Sequence, residues 1–406
     1  MSTSNSIASL LPPSFTLKSY TQLASLWSNY GHIYRLFLDK SPSDDIDSPE
    51  TLILKSIQPP LTSSLEDASE SHVRKLISYN VERWFYHHLS SSLGSSSSSP
   101  SCNSGSVKVA KAYHTQGGKD NDGNLLLEDL SIQYPFDAHG SLGRAATECV
   151  LDWLAGFHGR FFRIHSENNT PIQFIPPPNE AKHSSLVSLN NGVWKRGTYY
   201  YLDTRREELD DMDEEEYAWL MPWVEKVNNT IDKELGIYGT LLHGDAKGAN
   251  IIFNRSPHPS SLSARRRGGA KPLTPAVSAA DSTSTEQPLR CALYDFQYVG
   301  LGLPASDLVY FLGTSIQSSL LNQLPSETEL LRHYHDRLIL VIRGRGGDDK
   351  DTEVYPFDVF WRHWELAIVD WYRFMAGWGF WGNDRWVEKR AKEIVNEWEK
   401  DGFPFD

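Results

Sequence analysis

Apolar and polar positions alternate along the first third of the chain in a way that reads mostly as strands. "HIYRLFL" (His32–Leu38) and "TLILKSI" (Thr51–Ile57) are rich in strand formers and flank a polar loop, so a hairpin is expected. "SHVRKLISYNVERWFYHHL" (Ser71–Leu89) changes period: Val73, Ile77, Val81 and Phe85 recur at helical spacing. "VKVAKAYH" and "NLLLEDL" return to the strand texture. Beyond "EDLSIQYP" the pattern is helical, first in "SLGRAATECVLDWLAGFHGRFF" (Ser141–Phe162) and later from Phe357 onward. Within that helical part, "LLHGDAKGANIIF" (Leu241–Phe253) reads as strand, polar loop, strand. The order predicts an α+β protein with a small β-rich N-terminal lobe, residues 1–130, and a larger helical lobe, residues 131–406.

Two stretches lack any buried period. "LSSSLGSSSSSPSCNSGS" (Leu89–Ser106) is serine- and glycine-rich, and Arg255–Leu289 mixes Pro, Ser and Ala with a basic cluster, Arg265–Arg267. Both read as disordered surface loops inserted into the fold.

Composition narrows the function classes. A net charge of -13 over 406 residues argues against nucleic-acid binding, which calls for a basic face. No apolar run approaches the length of a membrane span, so no membrane partner is expected. Three scattered cysteines without metal-ligand spacing suit a reduced, cytoplasmic protein, and a monomer is the simpler assembly.

The chemistry concentrates in three places. In the loop of "LLHGDAKGANIIF", Asp245 can orient or accept the proton of an attacking hydroxyl, and the Asn250 side-chain oxygen is a hard ligand suited to Mg2+. Lys247 could neutralise charge on a transferring phosphoryl group, and His243 reads as packing behind the loop. Asp295 ends the apolar strand of "CALYDFQYVGLG" and is followed by Phe296 and Gln297, a second hard ligand at a turn. In the first lobe, Lys55 sits within "LILKSI", either snorkelling from an edge or held inward by a partner. Glu82 on the following helix could be that partner, or could lie on a solvated face. The spacing His243-x-Asp245-x-Lys247-x-x-Asn250 followed by Asp295-Phe296 is that of a kinase catalytic loop and metal loop.

On "HGDAKGAN", "YDFQYVGLGLPASDLVYFL", "LLLEDL" and "GTYYYLDTRREEL", the chain resembles the aminoglycoside phosphotransferase and choline-kinase-like group, most closely its ecdysteroid-kinase-like (CHK kinase-like) branch. The resemblance runs from about Leu26 to Trp381. It implies a protein-kinase-like bilobal fold and ATP- and Mg2+-dependent phosphorylation of a hydroxyl on a small molecule. By position it implies Asp245 as catalytic aspartate, Asn250 and Asp295 as metal ligands, Lys55 as the phosphate-binding lysine and Glu82 as its partner. Glu128 to Leu130 would be the hinge whose backbone reads adenine, and Asp307 would brace the catalytic loop. The chain departs from the protein-kinase pattern at "LWSNYGHIYRL", where Gly31 is the one glycine of the nucleotide loop. It also lacks an A-P-E-like segment after Asp295. A nucleotide-binding pseudokinase or scaffold of the same fold is the alternative, which the intact charged positions disfavour.

Two further segments bear on the acceptor. Phe357, Trp361, Trp364, Ile368, Trp371, Met375 and Trp378 form one apolar stripe, which reads as core with its glycine-rich end exposed. Tyr199 to Tyr201, with Asp203, Arg205 and Arg206, read either as cover strand and solvated charge or as an acceptor wall.

Overall fold

The computed structural model describes residues 3–39, 48–60, 66–94, 107–114, 123–164, 172–183, 191–258, 287–322, 326–345 and 354–406. Five strands build the first sheet: β1 (Thr16–Ser25), β2 (Gly31–Asp39), β3 (Thr51–Ile57), β4 (Ala112–Tyr113) and β5 (Asn124–Glu128), in spatial order β1-β2-β3-β5-β4. All its pairings are antiparallel. The expected hairpin is β2–β3, with Gly31 opposite Ile57 and Phe37 opposite Thr51. β1 escapes a reading by alternation because nearly all its side chains face solvent. The reverse error falls on "VKVAKAYH", where the strand shrinks to Ala112–Tyr113 and Lys108 makes an isolated bridge to Ala292.

The Glu70–His88 helix packs beneath this sheet. Ser69 caps it, its side chain accepting from the His72 amide at 3.2 Å, and Val73, Ile77, Val81 and Phe85 are fully buried. The serine-rich stretch that follows does not begin as a disordered loop. Ser91–Gly94 forms a helical turn, and Leu89 and Leu93 are buried in the core. Its remainder lies outside the described residues, as does most of Arg255–Leu289.

Seven short strands follow: β6 (Phe136–Asp137), β7 (Phe174–Ile175), β8 (Val193–Trp194), β9 (Thr240–Leu242), β10 (Ile251–Phe253), β11 (Cys291–Leu293) and β12 (Gly300–Gly302). They form two small sheets, β11-β10-β6 and β7-β8-β12-β9. Besides the long connection from β6 to β7, two short connections cross between these sheets, from β9 to β10 and from β11 to β12. The two crossings therefore run side by side, and they carry Asp245 to Asn250 and Asp295.

Helices Arg144–Arg160, Met221–Tyr238, Ala305–Ser315, Ser326–Gly344, Phe357–Trp378 and Asp384–Asp401 make up most of the rest. The stripe on Phe357–Trp378 is mainly core: Trp364, Ile368, Trp371 and Met375 are fully buried, while Trp378 emerges at 48% exposure. "GTYYYLDT" is not a strand. It is a turn leading into a 3-10 turn at Leu202–Thr204, and Tyr200 and Tyr201 are buried. Among the described residues, no helix is long and apolar enough to cross a membrane.

Candidate active site

Lys55 points inward. Its Nζ lies 2.5 Å from Glu82 Oε2 and 3.0 Å from Asp295 Oδ1, tying β3, the Glu70–His88 helix and the β11–β12 crossing to one ammonium. Burial opposes the charged ammonium, but Asp295 and Glu82 outweigh it and lift the lysine above its ordinary pKa. Glu82 is buried rather than solvated, and burial raises its carboxyl while Lys55 opposes that rise. Asp295 holds a positive φ of 69°, uncommon outside glycine, on a side chain still 32% exposed.

The Asp245 carboxylate is immobilised by three donors. Tyr310 Oη donates to Oδ1 at 2.7 Å; Lys247 Nζ and Asn250 Nδ2 each donate to Oδ2 at 2.9 Å. Burial raises the Asp245 carboxyl above its usual value, with Lys247 opposing and Asp295 adding to the rise. A carboxylate made more basic in this way is a better proton acceptor. Tyr310 escaped the motif reading, although it lies three residues after Asp307 on one helix face, a spacing that makes the two neighbours.

Asp307 stands behind the loop, fully buried. It accepts from the His243 amide at 2.7 Å and the Gly244 amide at 2.9 Å, and its other contact is His158 Nε2 at 3.0 Å. His243 packs against Phe296 and reaches the Tyr294 carbonyl, and burial lowers its pKa, which keeps the ring neutral. Gly244 is required where it stands. Its φ is +82°, and a Cβ there would lie 2.1 Å from the Tyr298 carbonyl oxygen.

At the expected hinge, the Glu128 side chain is held by Lys108 at 2.7 Å and the Leu130 carbonyl accepts from the Gln133 and Tyr134 amides. Asp129 between them is bonded to Arg35 at 2.7 Å, which anchors the segment to β2. The nucleotide-loop segment is a tight turn, with Ser28 and Asn29 both at positive φ and Trp27 86% exposed.

The donor set suits a hard cation. Asn250 gives both amide hydrogen bonds to Asp245, which leaves its side-chain oxygen as an acceptor, and Asp295 adds a carboxylate. No group of three or more His, Cys, Asp or Glu could hold a metal among the described residues, so phosphate oxygens and water would have to complete the sphere.

The sequence matches the ecdysteroid kinase-like family over residues 30–263 and 280–344, well over half of the chain. The chain belongs to that family. The α+β architecture expected from the order of elements, a strand-rich first part followed by a largely helical remainder, is the one found. A search of curated protein sequences gives no match. Among solved structures, the chain is similar to a choline kinase from Cryptosporidium parvum at 10% identity and a TM-score of 0.47, covering 95% of this chain and 91% of that one. It is also similar to a Plasmodium vivax ethanolamine kinase (10% identity, TM-score 0.38, 99% and 86% covered). An amicoumacin kinase complexed with AMP-PNP and Ca2+ is 13% identical, with a TM-score of 0.39 and 99% and 95% covered.

Proposed function

We propose that this family member is an ATP- and Mg2+-dependent phosphotransferase acting on a hydroxyl group of a small molecule. The observation that carries the proposal is the convergence of Lys55, Glu82 and Asp295 within hydrogen-bond reach, beside an Asp245 carboxylate fixed by three donors. Phosphoryl transfer asks a protein for positioning and charge rather than covalent chemistry, and these groups supply both.

In this reading Lys55, kept cationic by its two carboxylates, takes the phosphates, and Glu82 holds it in place. Asn250 and Asp295 hold Mg2+, which when bound neutralises charge on the phosphate oxygens. The backbone of Glu128 to Leu130 receives adenine. Asp245 orients the acceptor hydroxyl and takes its proton as the oxygen bonds to the γ-phosphorus and the bond from that phosphorus to the bridging oxygen breaks, releasing ADP. Lys247, close to Asp245 yet more than a third exposed on its side chain (37%), is free to turn toward the transferring group. Free thiols at Cys149 and Cys291 are consistent with a reducing, cytoplasmic setting.

Asp245→Asn tests the assignment. The acceptor search scores ADP release over hydroxyl-bearing metabolites. With an acceptor in hand, kcat should fall by about a hundredfold or more while the Mg-ATP dissociation constant stays within about twofold. Turnover by the variant within about tenfold of wild type would reject Asp245 as the base. A wild-type protein that binds Mg-ATP but turns over none of the compounds would instead favour the scaffold reading.

A further inference from the structure

Next to the catalytic loop, three aromatic rings enclose a cation belonging to the protein itself. The Arg205 guanidinium carbon lies 4.3 Å from the Tyr199 ring centroid, 4.8 Å from Trp378 and 5.6 Å from Phe374. The rings also meet one another at centroid distances of 5.8 to 6.0 Å. Arg205 is 1% exposed; its Nε donates to the Tyr199 carbonyl and its Nη1 to Glu208, each at 3.0 Å. Its Nη2 is buried and has no hydrogen-bond partner. Buried donors are seldom left unpaired, since each such group has given up its water partners for nothing.

The box is coupled to the reacting groups through Tyr199. The Tyr199 amide donates to the Gly244 carbonyl at 2.7 Å, and Lys247 Nζ lies 5.8 Å from the Tyr199 ring while bonding Asp245. Thr198 before it sits at φ 99°, a conformation that a β-branched residue rarely adopts and that clusters at functional sites. Trp378 leaves the box edge 48% exposed.

An aromatic box is ordinarily a receptor for a ligand cation, because the ring faces attract positive charge. Here those faces are already engaged by a guanidinium that burial and two hydrogen bonds hold in place, with the Lys247 ammonium near the same Tyr199 ring. A second cation would meet like charge at short range, which a partly desolvated site penalises.

We propose that the Tyr199–Phe374–Trp378 box is a specificity element of the acceptor site, filled by Arg205 so that ammonium-bearing alcohols are refused, and that Arg205 Nη2 binds an oxygen of the acceptor, a carboxylate or a carbonyl. The proposal rests on the phosphotransferase reading and adds the charge class of the acceptor to it. Trp378, at the last position of its helix and half-exposed, is the ring that must shift to admit that oxygen.

The test measures ADP release by the full chain with Mg-ATP against three sets of hydroxyl compounds. These are ammonium alcohols (choline, ethanolamine), neutral polyols, and a set of hydroxy acids with matching hydroxy ketones. Turnover should be confined to the third set, and comparing acids with ketones identifies which oxygen is read. Arg205→Met should raise the acceptor KM by about tenfold with the ATP KM unchanged. Trp378→Leu alters the exposed wall and spares both Arg205 hydrogen bonds, so it remains informative if Arg205→Met does not fold; it should raise the acceptor KM by about threefold. Preferred turnover of an ammonium alcohol or of polyols overturns the proposal. So do unchanged acceptor KM values in both variants, or equal shifts in both substrates, which would make the box a brace. Mg-ATP binding without turnover of any set removes the phosphotransferase reading itself, and this proposal with it.

Discussion

In the loop between β9 and β10, His243 is fully buried, Asp245 accepts three hydrogen bonds, and two backbone amides are tied to Asp307. In the turn between β1 and β2, the base is held by buried Leu26 and Tyr30 and by a Tyr30–His72 hydrogen bond, but at the tip Trp27 is almost wholly exposed and Ser28 is tied by a 2.8 Å bond from Lys75. Both regions carry left-handed backbone, with Gly244 at φ 82° in one and Ser28 and Asn29 at φ 57° and 59° in the other. In the first, burial and the hydrogen bonds from Asp307 fix that conformation. In the second, β2–β3 pairing holds the base of the turn, where Gly31 comes so near the Ser56 carbonyl that a Cβ would lie 1.9 Å from it. The groups proposed for chemistry are therefore pre-organised, whereas the tip of the expected nucleotide loop has fewer contacts to hold it.

Removing the brace should do the most damage. Asp307→Ala leaves the His243 and Gly244 amides buried without acceptors and His158 without its carboxylate, so a loss of about 3–5 kcal/mol in unfolding free energy is expected. Denaturant unfolding measures it. A loss below about 1 kcal/mol would mean that the loop is not held from behind.

Asp295→Ala comes next, because it takes one of two carboxylates from Lys55 and, in the proposed reading, a hard ligand from the cation. Calorimetric titration with Mg-ATP should show affinity lower by about tenfold or more, with weaker dependence on Mg2+ concentration. Lys55→Met should lose a comparable amount with less dependence on metal. Affinity unchanged by either substitution would remove the pair from the nucleotide site.

Trp27→Ala probes the looser region and should do much less. An exposed side chain away from caps and networks changes stability by about 0.5 kcal/mol or less. The ATP KM should move by less than about threefold, since backbone rather than the indole would cover the phosphates. A tenfold rise would show that the tip is fixed as firmly in its role as the catalytic loop.

The same contrast governs what the sequence could disclose. Asp245, Asn250 and Asp295 were legible because their spacing is dictated by two short crossings between the same pair of sheets, so local sequence encodes local geometry. Lys55 and Glu82 were legible as a pair only through their order along the chain, for neither residue alone distinguishes a buried ion pair from a solvated one. Arg205 was read as an outer charge or a wall residue. Its burial depends on Phe374 and Trp378, more than 160 positions further along, and no periodicity reports that contact. β1 was missed for the opposite reason: a strand open to solvent on most positions carries no apolar alternation. "GTYYYLDT" looked like a strand because three tyrosines favour one, but Arg74 and Arg205 take the Thr204 and Tyr199 carbonyls and fold it into turns.

The last expected effect, a small gain where the others are losses, lies between the two crossings. β10 and β11 pair directly, with Phe253 opposite Cys291, and the ladder is closed at its end by Asn254 and Arg290 through backbone and side-chain bonds of 3.1 and 2.8 Å. Asn254 Nδ2 also reaches the Pro288 carbonyl at 3.1 Å, and Leu289 packs against the core. The flanks of the insert thus belong to the body, and a useful deletion must spare Arg255–His258 and Gln287–Leu289. Excising residues 259–286 shortens the connection roughly fourfold, and loop-closure entropy puts the gain in stability at no more than about 1 kcal/mol. Because β10 follows Asn250 and β11 precedes Asp295, any strain put into this hairpin would reach both proposed metal ligands. Unfolding free energy equal to or slightly above that of the full chain, with unaltered Mg-ATP affinity, is the expected result. A loss above about 2 kcal/mol would show that the excised segment packs on the body; preserved stability with weakened Mg-ATP binding would mean instead that the segment helps to aim Asn250 and Asp295.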